Sequence, residues 1–109
     1  MSQLEEVLAF QIRAANLPAP EREVRAIPSR RFRWDFAWGK WLVEVQGGTW
    51  TQGRTAHSTG AGIARDARKN NLAVRAGYKI LYFTSDMIKS GEALKTIQEA
   101  LSGEDIGKE

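Results

Sequence analysis

At 109 residues the chain is long enough for one domain with its own hydrophobic core, and its 42% hydrophobic and 27% charged residues are ordinary for a folded water-soluble protein. The absence of cysteine excludes disulfides, thiolate zinc sites and a cysteine nucleophile, and no run approaches the roughly 20 apolar residues of a membrane span. The net charge of +3 favours a polyanionic partner only weakly. No basic-then-apolar secretory pattern opens the chain, so we expect a cytoplasmic protein without membrane contact.

The first predicted element is a helix over residues 2–16. Its apolar residues recur at helical spacing on one face, and Ser2 with Glu5 forms the S-x-x-E pattern of a capping box. The segment 17–20 contains two prolines and ends the helix, because proline lacks a backbone donor and restricts the residue before it. A short strand is predicted next, over residues 23–27.

A β-hairpin is predicted from two runs in which apolar and polar residues alternate. The runs cover residues 32–38 and 41–46, and Gly39-Lys40 between them suits a two-residue turn in which glycine takes a positive φ. We expect the alternating aromatic and β-branched residues, including Phe32, to form one core-facing side of the hairpin. The register predicts three opposed pairs on that side, Trp38–Trp41, Phe36–Val43 and Trp34–Val45.

On the other side of the hairpin, Asp35 falls directly across from Glu44. Like charges in directly opposed positions are destabilising. A folded protein keeps such a pair when a cation lies between the carboxylates or when they share a proton, and the apolar neighbours Ala37 and Leu42 predict partial burial. The pattern therefore indicates a hard-cation site, with Mg²⁺ as the usual occupant. The alternative is an exposed polar side whose carboxylates are neutralised by Arg33 and lysines.

The remainder of the chain alternates loop, helix and strand. Residues 47–62 are rich in Gly, Ser and Thr and are predicted as a loop. The predicted elements that follow are a helix over 63–76 ended by Gly77, a central strand over 78–84, a helical segment over 86–89, an amphipathic helix over 92–101 and a frayed tail over 102–109. The order α-β-β-β-α-β-α predicts a single α/β domain over 1–109, in which helices flank a mixed four-stranded sheet.

Basic residues concentrate in two stretches. Five arginines lie between residues 22 and 33, and Arg65, Arg68 and Lys69 follow in the predicted second helix. Clusters of this kind can neutralise phosphates and release counterions, although surface arginines can also be merely solvated. The residues expected to contact nucleic acid are Arg30, Arg31, Arg33, Arg54, Arg65 and Trp50, whose indole could stack on a base.

Two segments together carry a family resemblance. The run RFRWDFAWGKWLVEVQGG is followed by a glycine-rich stretch with His57 and then by RDARKNNLAVRAGYKILYFT. This sequence resembles the PD-(D/E)XK nuclease superfamily, and within it the small phage and bacterial endonucleases of the very-short-patch-repair and VRR-NUC type. The resemblance covers nearly the whole chain. It rests on D-x8-E-x-Q at Asp35, Glu44 and Gln46, and on D-x-x-K-N at Asp66, Lys69 and Asn70.

The resemblance implies a restriction-endonuclease-like fold and Mg²⁺- or Mn²⁺-dependent hydrolysis of DNA. Asp35 and Glu44 would hold the metal, with the backbone carbonyl of Val45 as a further ligand. Gln46 stands where the family most often has lysine, and glutamine can position a water but cannot supply positive charge. Lys69 is the candidate that could supply this charge, and its alternative is a surface lysine beside an acidic residue.

Two further residues receive a catalytic role from the resemblance. Glu5 matches an acidic residue that such nucleases often carry on the first helix, although the capping box explains it equally well; Glu6 and Glu23 are the other candidates. His57 is the only histidine and could act as a general acid or base, whereas a lone loop histidine can also be simply exposed.

The expected function is a metal-dependent DNA endonuclease, and selectivity for DNA structure would fit its small size. One alternative is a catalytically weak or inactive nucleic-acid-binding module of the same fold, which Gln46 favours. Another is a structural or interaction protein in which the acidic pair is incidental. A homodimer is also expected, because cutting both strands requires two sites, and the apolar side of residues 92–101 is the candidate interface.

Overall fold

A computed structural model describes residues 2–46 and 60–103 of the chain. The elements are α1 (Gln3–Ala14), β1 (Glu21–Val24), β2 (Trp34–Trp38), β3 (Trp41–Gln46), α2 (Gly60–Arg75), β4 (Lys79–Thr84), α3 (Ser85–Ser90) and α4 (Glu92–Ser102). The strands form one sheet in the order β1-β2-β3-β4, antiparallel except for the parallel pair β3–β4. The predicted α/β fold is confirmed. In the described ranges, no helix combines the length and apolar character needed to cross a membrane.

Helix α1 begins at the predicted capping box. The hydroxyl of Ser2 accepts the backbone N–H of Glu5 at 3.2 Å, and the Glu5 carboxylate accepts the N–H of Ser2 at 3.4 Å. Leu8 and Ile12 on the same side of the helix are fully buried. The cap therefore fixes both the start of the helix and the rotation that turns Glu5 towards the sheet.

The hairpin β2–β3 follows the predicted register over its first three pairs. Gly39 takes the expected positive φ of 55°, and the pairs run from Trp38–Trp41 to Phe36–Val43. The next pair predicted for the core-facing side, Trp34 opposite Val45, is wrong. The N–H of Val45 instead donates to the Asp35 carboxylate at 2.7 Å, so a side chain replaces the next backbone partner.

Two strand predictions need correction. The first strand covers Glu21–Val24 rather than 23–27, and it pairs with β2. The strand predicted as central, β4, pairs with β3 and lies at the edge of the sheet that the described residues form. The apolar composition of β4 therefore does not reflect a central position in the sheet. It reflects the helices that cover residues on both faces of the strand.

The core consists of two clusters on opposite faces of the sheet. Phe36 and Val43 belong to the cluster that packs against α1, α3 and α4. Trp34 and Leu42 belong to the smaller cluster beneath α2. Trp34 and Phe36 are two residues apart in one strand, and regular alternation would place them on the same face. The prediction of one continuous aromatic face is therefore wrong at Trp34, and Phe32 also packs against the smaller cluster.

A local irregularity in β1 lies next to this switch. Arg22, which pairs with Phe36, stacks its guanidinium over the Phe36 ring, whereas Val24 packs with the cluster beneath α2. Between them Glu23 has a φ of +53°, in the left-handed region that residues other than glycine rarely adopt. The side chains of both strands therefore switch from one face of the sheet to the other. In β1 the switch occurs at Glu23, and in β2 it occurs at Asp35 on the adjacent strand.

Helix α4 packs its apolar side inside the chain. Ala93 and Ile97 are buried in the larger cluster, and Leu94 and Leu101 pack against it. The side predicted as a dimer interface is therefore already covered in the monomer. Residues 104–109, most of the predicted frayed tail, lie outside the described residues.

Candidate active site

Three carboxylates meet where β1 and β2 change faces. One oxygen from each of Glu5, Glu23 and Asp35 lies within 4.8 Å of the other two. The capping box of α1 directs Glu5, the left-handed turn of β1 directs Glu23, and the Val45 N–H holds Asp35. The cluster thus draws one carboxylate from each of three elements.

The donor set fits a hard divalent cation. Glu5 is only 8% exposed, and within the described residues its Oε1 is buried without a hydrogen-bond partner. The nearest guanidinium nitrogen, on Arg22, is 4.0 Å from that oxygen and only 2.9 Å from Glu6. A buried carboxylate oxygen without a hydrogen bond is costly. Oxygen-only sites with several carboxylates are the environment that Mg²⁺ and Mn²⁺ prefer.

Asp35 interacts electrostatically with charged residues both inside and outside the cluster. Burial raises the pKa of Asp35, Glu44 and Glu23 raise it further, and the Val45 N–H and Lys69 oppose the rise. Burial also raises the pKa of Glu5, and Asp35 is the next contribution. The metal-free site therefore resists full ionisation, as expected for ligands that a cation would offset.

Lys69 and Glu44 form a buried ion pair beside the cluster. The Lys69 ammonium lies 2.9 Å from Glu44 Oε2, and the two side chains are only 11% and 19% exposed. The same ammonium donates to the backbone carbonyl of Arg33 at 2.5 Å and lies 4.8 Å from the centre of the Trp34 ring. The pair joins α2 to β3 and places a positive charge near Asp35.

The structure brings several of the predicted residues together. Asp35 and Glu5 belong to the cluster, the amide of Val45 donates to Asp35, and Glu44 and Lys69 form the adjacent pair. Gln46 ends β3 opposite Thr84, on the same face as Glu44. Metal binding by Glu44 and by the Val45 carbonyl, and the catalytic role of Gln46, stay predictions. Trp50, Arg54 and His57 lie outside the described residues.

Four of the arginines predicted to contact nucleic acid lie in the described part of the chain. Arg30 and Arg31 are exposed in the segment between β1 and β2. Arg33 Nη1 lies 4.0 Å from the Glu23 carboxylate, and Arg65 is exposed one turn before Lys69 on α2. Of these arginines, Arg33 therefore lies next to the acidic cluster, and Arg65 lies on the helix that carries Lys69.

Glu23 was only a secondary candidate from the sequence. Its place in the cluster depends on the pairing of β1 with β2, which sets Glu23 between the pairs Arg22–Phe36 and Val24–Trp34. A strand placed over 21–24 and aligned with the hairpin would have opposed Glu23 to Asp35. That alignment was the signal that could have identified it.

This fold is shared with a homing endonuclease domain of known structure. The catalytic domain of the homing endonuclease I-Bth0305I superposes with a TM-score of 0.69 over 91% of this chain and 93% of that domain, at 16% sequence identity. No family model matches the chain, and no curated protein matches it. Identity this low carries information about architecture alone. The chain therefore has the fold of a homing endonuclease catalytic domain.

Proposed function

We propose that this protein is a metal-dependent DNA endonuclease that hydrolyses phosphodiester bonds. The observation that carries the proposal is the convergence of Glu5, Glu23 and Asp35, together with a buried Glu5 oxygen that has no hydrogen-bond partner among the described residues. The likeness to a homing endonuclease catalytic domain supports DNA as the substrate. A homodimer and a cytoplasmic location belong to the same proposal.

Different residues of the chain would bind the metal, supply positive charge and hold the DNA. Glu5, Glu23 and Asp35 would hold Mg²⁺ or Mn²⁺, which when bound supplies a water of lowered pKa and positive charge for the phosphoryl oxygens. Lys69, fixed by Glu44, keeps an ammonium on the face where Gln46 replaces the lysine expected from the resemblance. Exposed arginines, among them Arg33 beside Glu23, would hold the DNA backbone.

A plasmid-nicking assay tests the activity directly. We expect nicked and linear products with Mg²⁺ or Mn²⁺, and none after EDTA is added, because the metal would supply the water of lowered pKa and the charge that stabilises the phosphoryl oxygens. Protein purified from a host strain that lacks the major nucleases gives the clean comparison. Cleavage that persists in EDTA would contradict the metal-dependent assignment.

The ligand set can be tested by the affinity for Mg²⁺. Glu23→Gln should weaken Mg²⁺ binding about tenfold or more, because it removes one charged ligand of the cluster. Glu21→Gln is the matched control, since Glu21 is exposed on the same strand and lies outside the cluster. Isothermal titration calorimetry gives both affinities.

The same titration separates two ligand sets. If Glu44→Gln weakens Mg²⁺ binding more than Glu23→Gln does, the ion lies between Asp35 and Glu44, as the hairpin pattern predicts. If Glu23→Gln has the larger effect, the three-carboxylate cluster is the site. Equal affinities in Glu23→Gln and Glu21→Gln would remove Glu23 from the site.

A second candidate function is a nucleic-acid-binding module with little or no cleavage. Gln46 favours it, because an amide cannot stabilise a hydroxide as a lysine can. DNA binding by fluorescence anisotropy, combined with the nicking assay, distinguishes the two. Binding without nicking at any Mg²⁺ or Mn²⁺ concentration would establish the module.

A further inference from the structure

Tyr82 lies on the face of the sheet that carries the charged site. In the parallel pair β3–β4 it is the direct partner of Glu44, so the two side chains project to the same side. Ile80, two residues earlier, packs against the cluster beneath α2, whereas Phe83 lies in the cluster on the opposite face. The phenol therefore stands beside the Lys69–Glu44 pair.

Its exposure distinguishes Tyr82 from the other aromatic residue of β4. Tyr82 is 42% exposed, whereas Phe83 on the opposite face is 3% exposed. Within the described part of the chain, the hydroxyl of Tyr78 contacts the Ala26 carbonyl at 3.5 Å, but the Tyr82 hydroxyl makes no hydrogen bond. A donor thus reaches solvent at the border of the site.

The surroundings of this hydroxyl are acidic. Partial burial raises the pKa of Tyr82, and the carboxylates of Asp66, Glu44 and Asp35 raise it further. The phenol therefore stays neutral and keeps its proton throughout the range in which nucleases work. A neutral O–H can approach a phosphate without the repulsion that the neighbouring carboxylates exert.

We propose that Tyr82 is a substrate-contacting residue whose hydroxyl donates a hydrogen bond to a phosphate oxygen of the DNA strand bound at this site. In this arrangement the O–H would reach the phosphate beside the Lys69–Glu44 pair. This inference rests on the proposed DNA-binding function and adds to it a specific contact with the substrate backbone.

The test compares Tyr82→Phe with the parent protein, using a fluorescently labelled DNA duplex. Phenylalanine keeps the ring and removes only the hydroxyl. Tyr78→Phe is the matched control, because it removes the same group from the same strand region, away from the carboxylates. The measurements are kcat/KM in Mg²⁺, the DNA dissociation constant in EDTA by anisotropy, and the Mg²⁺ affinity by calorimetry.

We expect Tyr82→Phe to weaken DNA binding and to lower kcat/KM about tenfold, the size of one hydrogen bond to a charged group. Its Mg²⁺ affinity and melting temperature should equal those of the parent, and Tyr78→Phe should retain parental kcat/KM. Parental DNA affinity and kcat/KM in Tyr82→Phe would overturn the inference. If the parent binds DNA without cleaving it, the endonuclease assignment fails, and the anisotropy data alone decide the role of Tyr82.

Discussion

Replacing Asp35 with asparagine should lower DNA cleavage roughly a thousandfold or more, and should raise the melting temperature of the metal-free protein. Asparagine keeps an oxygen that can accept the Val45 N–H, so the local backbone is retained. It removes the negative charge that lies close to Glu5, Glu23 and Glu44. Loss of the central ligand and relief of repulsion thus follow from one substitution.

The pH dependence of this stabilisation follows from the direction of the pKa shift. Burial, Glu44 and Glu23 raise the pKa of Asp35 in the folded state above its unfolded value. The folded state then binds the proton more tightly, so this contribution favours folding below the unfolded pKa and is lost as pH rises through the folded pKa. The gain from Asp35→Asn in EDTA should therefore be largest at neutral to alkaline pH, at about 1 kcal/mol.

Thermal unfolding of parent and Asp35→Asn in EDTA, at pH 5 and pH 8, measures the effect. Addition of Mg²⁺ should stabilise the parent more than the variant, because a ligand of the native state shifts unfolding by mass action. Glu21→Gln, which removes one charge outside the cluster, is the control. A lower melting temperature for Asp35→Asn at pH 8 in EDTA would mean that the carboxylates do not repel one another as described.

Substitution of Lys69 by methionine should have the largest effect on folding. Methionine keeps much of the stem that packs beneath α2 but removes the ammonium from Glu44 and from the Arg33 carbonyl. Breaking a buried ion pair costs about 3–5 kcal/mol, and the 19% exposure of Glu44 favours the lower end. For a domain of this size that corresponds to a loss of more than about 10 °C in melting temperature.

A double variant separates the charge from the packing. Lys69→Met combined with Glu44→Gln should recover part of the lost stability, because the remaining partner is then neutral. Lys95→Met is the control, since Lys95 is exposed on α4. Cleavage should fall at least tenfold in Lys69→Met under conditions in which the protein is folded. A parental rate in the folded variant would exclude a contribution of Lys69 to the reaction.

Local patterns were sufficient for much of the fold. The capping box located the start of α1, and the two-residue turn at Gly39 fixed the first three pairs of the hairpin. Gly77 and Gly91, both with positive φ, separated the later elements as expected. These features depend on residues close in sequence, where the chemistry of turns and caps decides the outcome.

The errors arose where distant segments decide the structure. The alternation in β2 is continuous in sequence, and no local signal predicts that it breaks at Trp34. The break lies beside the left-handed backbone of Glu23, which is on another strand. Strand β4 looked central because both of its faces are apolar, but helices cover it instead of a further strand in the described sheet.

The sequence predicted several residues of the candidate site, but it did not predict which of them contact one another. Asp35, Glu44 and Lys69 were identified from the hairpin pattern and the family resemblance. The pairing of Lys69 with Glu44, 25 residues apart, depends on how α2 rotates on the sheet. The contribution of Glu23 depends on the alignment of β1, which a four-residue strand with little apolar character does not reveal.

The backbone of Glu23 has a consequence for protein engineering. A glutamate with left-handed φ costs roughly 1–2 kcal/mol, and glycine would adopt the same conformation with little strain. Any procedure that selects variants for thermostability alone would therefore favour replacing this residue. Such a variant would gain heat resistance and lose a carboxylate of the cluster. Stabilised forms of this protein should keep Glu23 unchanged. At this position a substitution that stabilises the fold removes a residue of the candidate site.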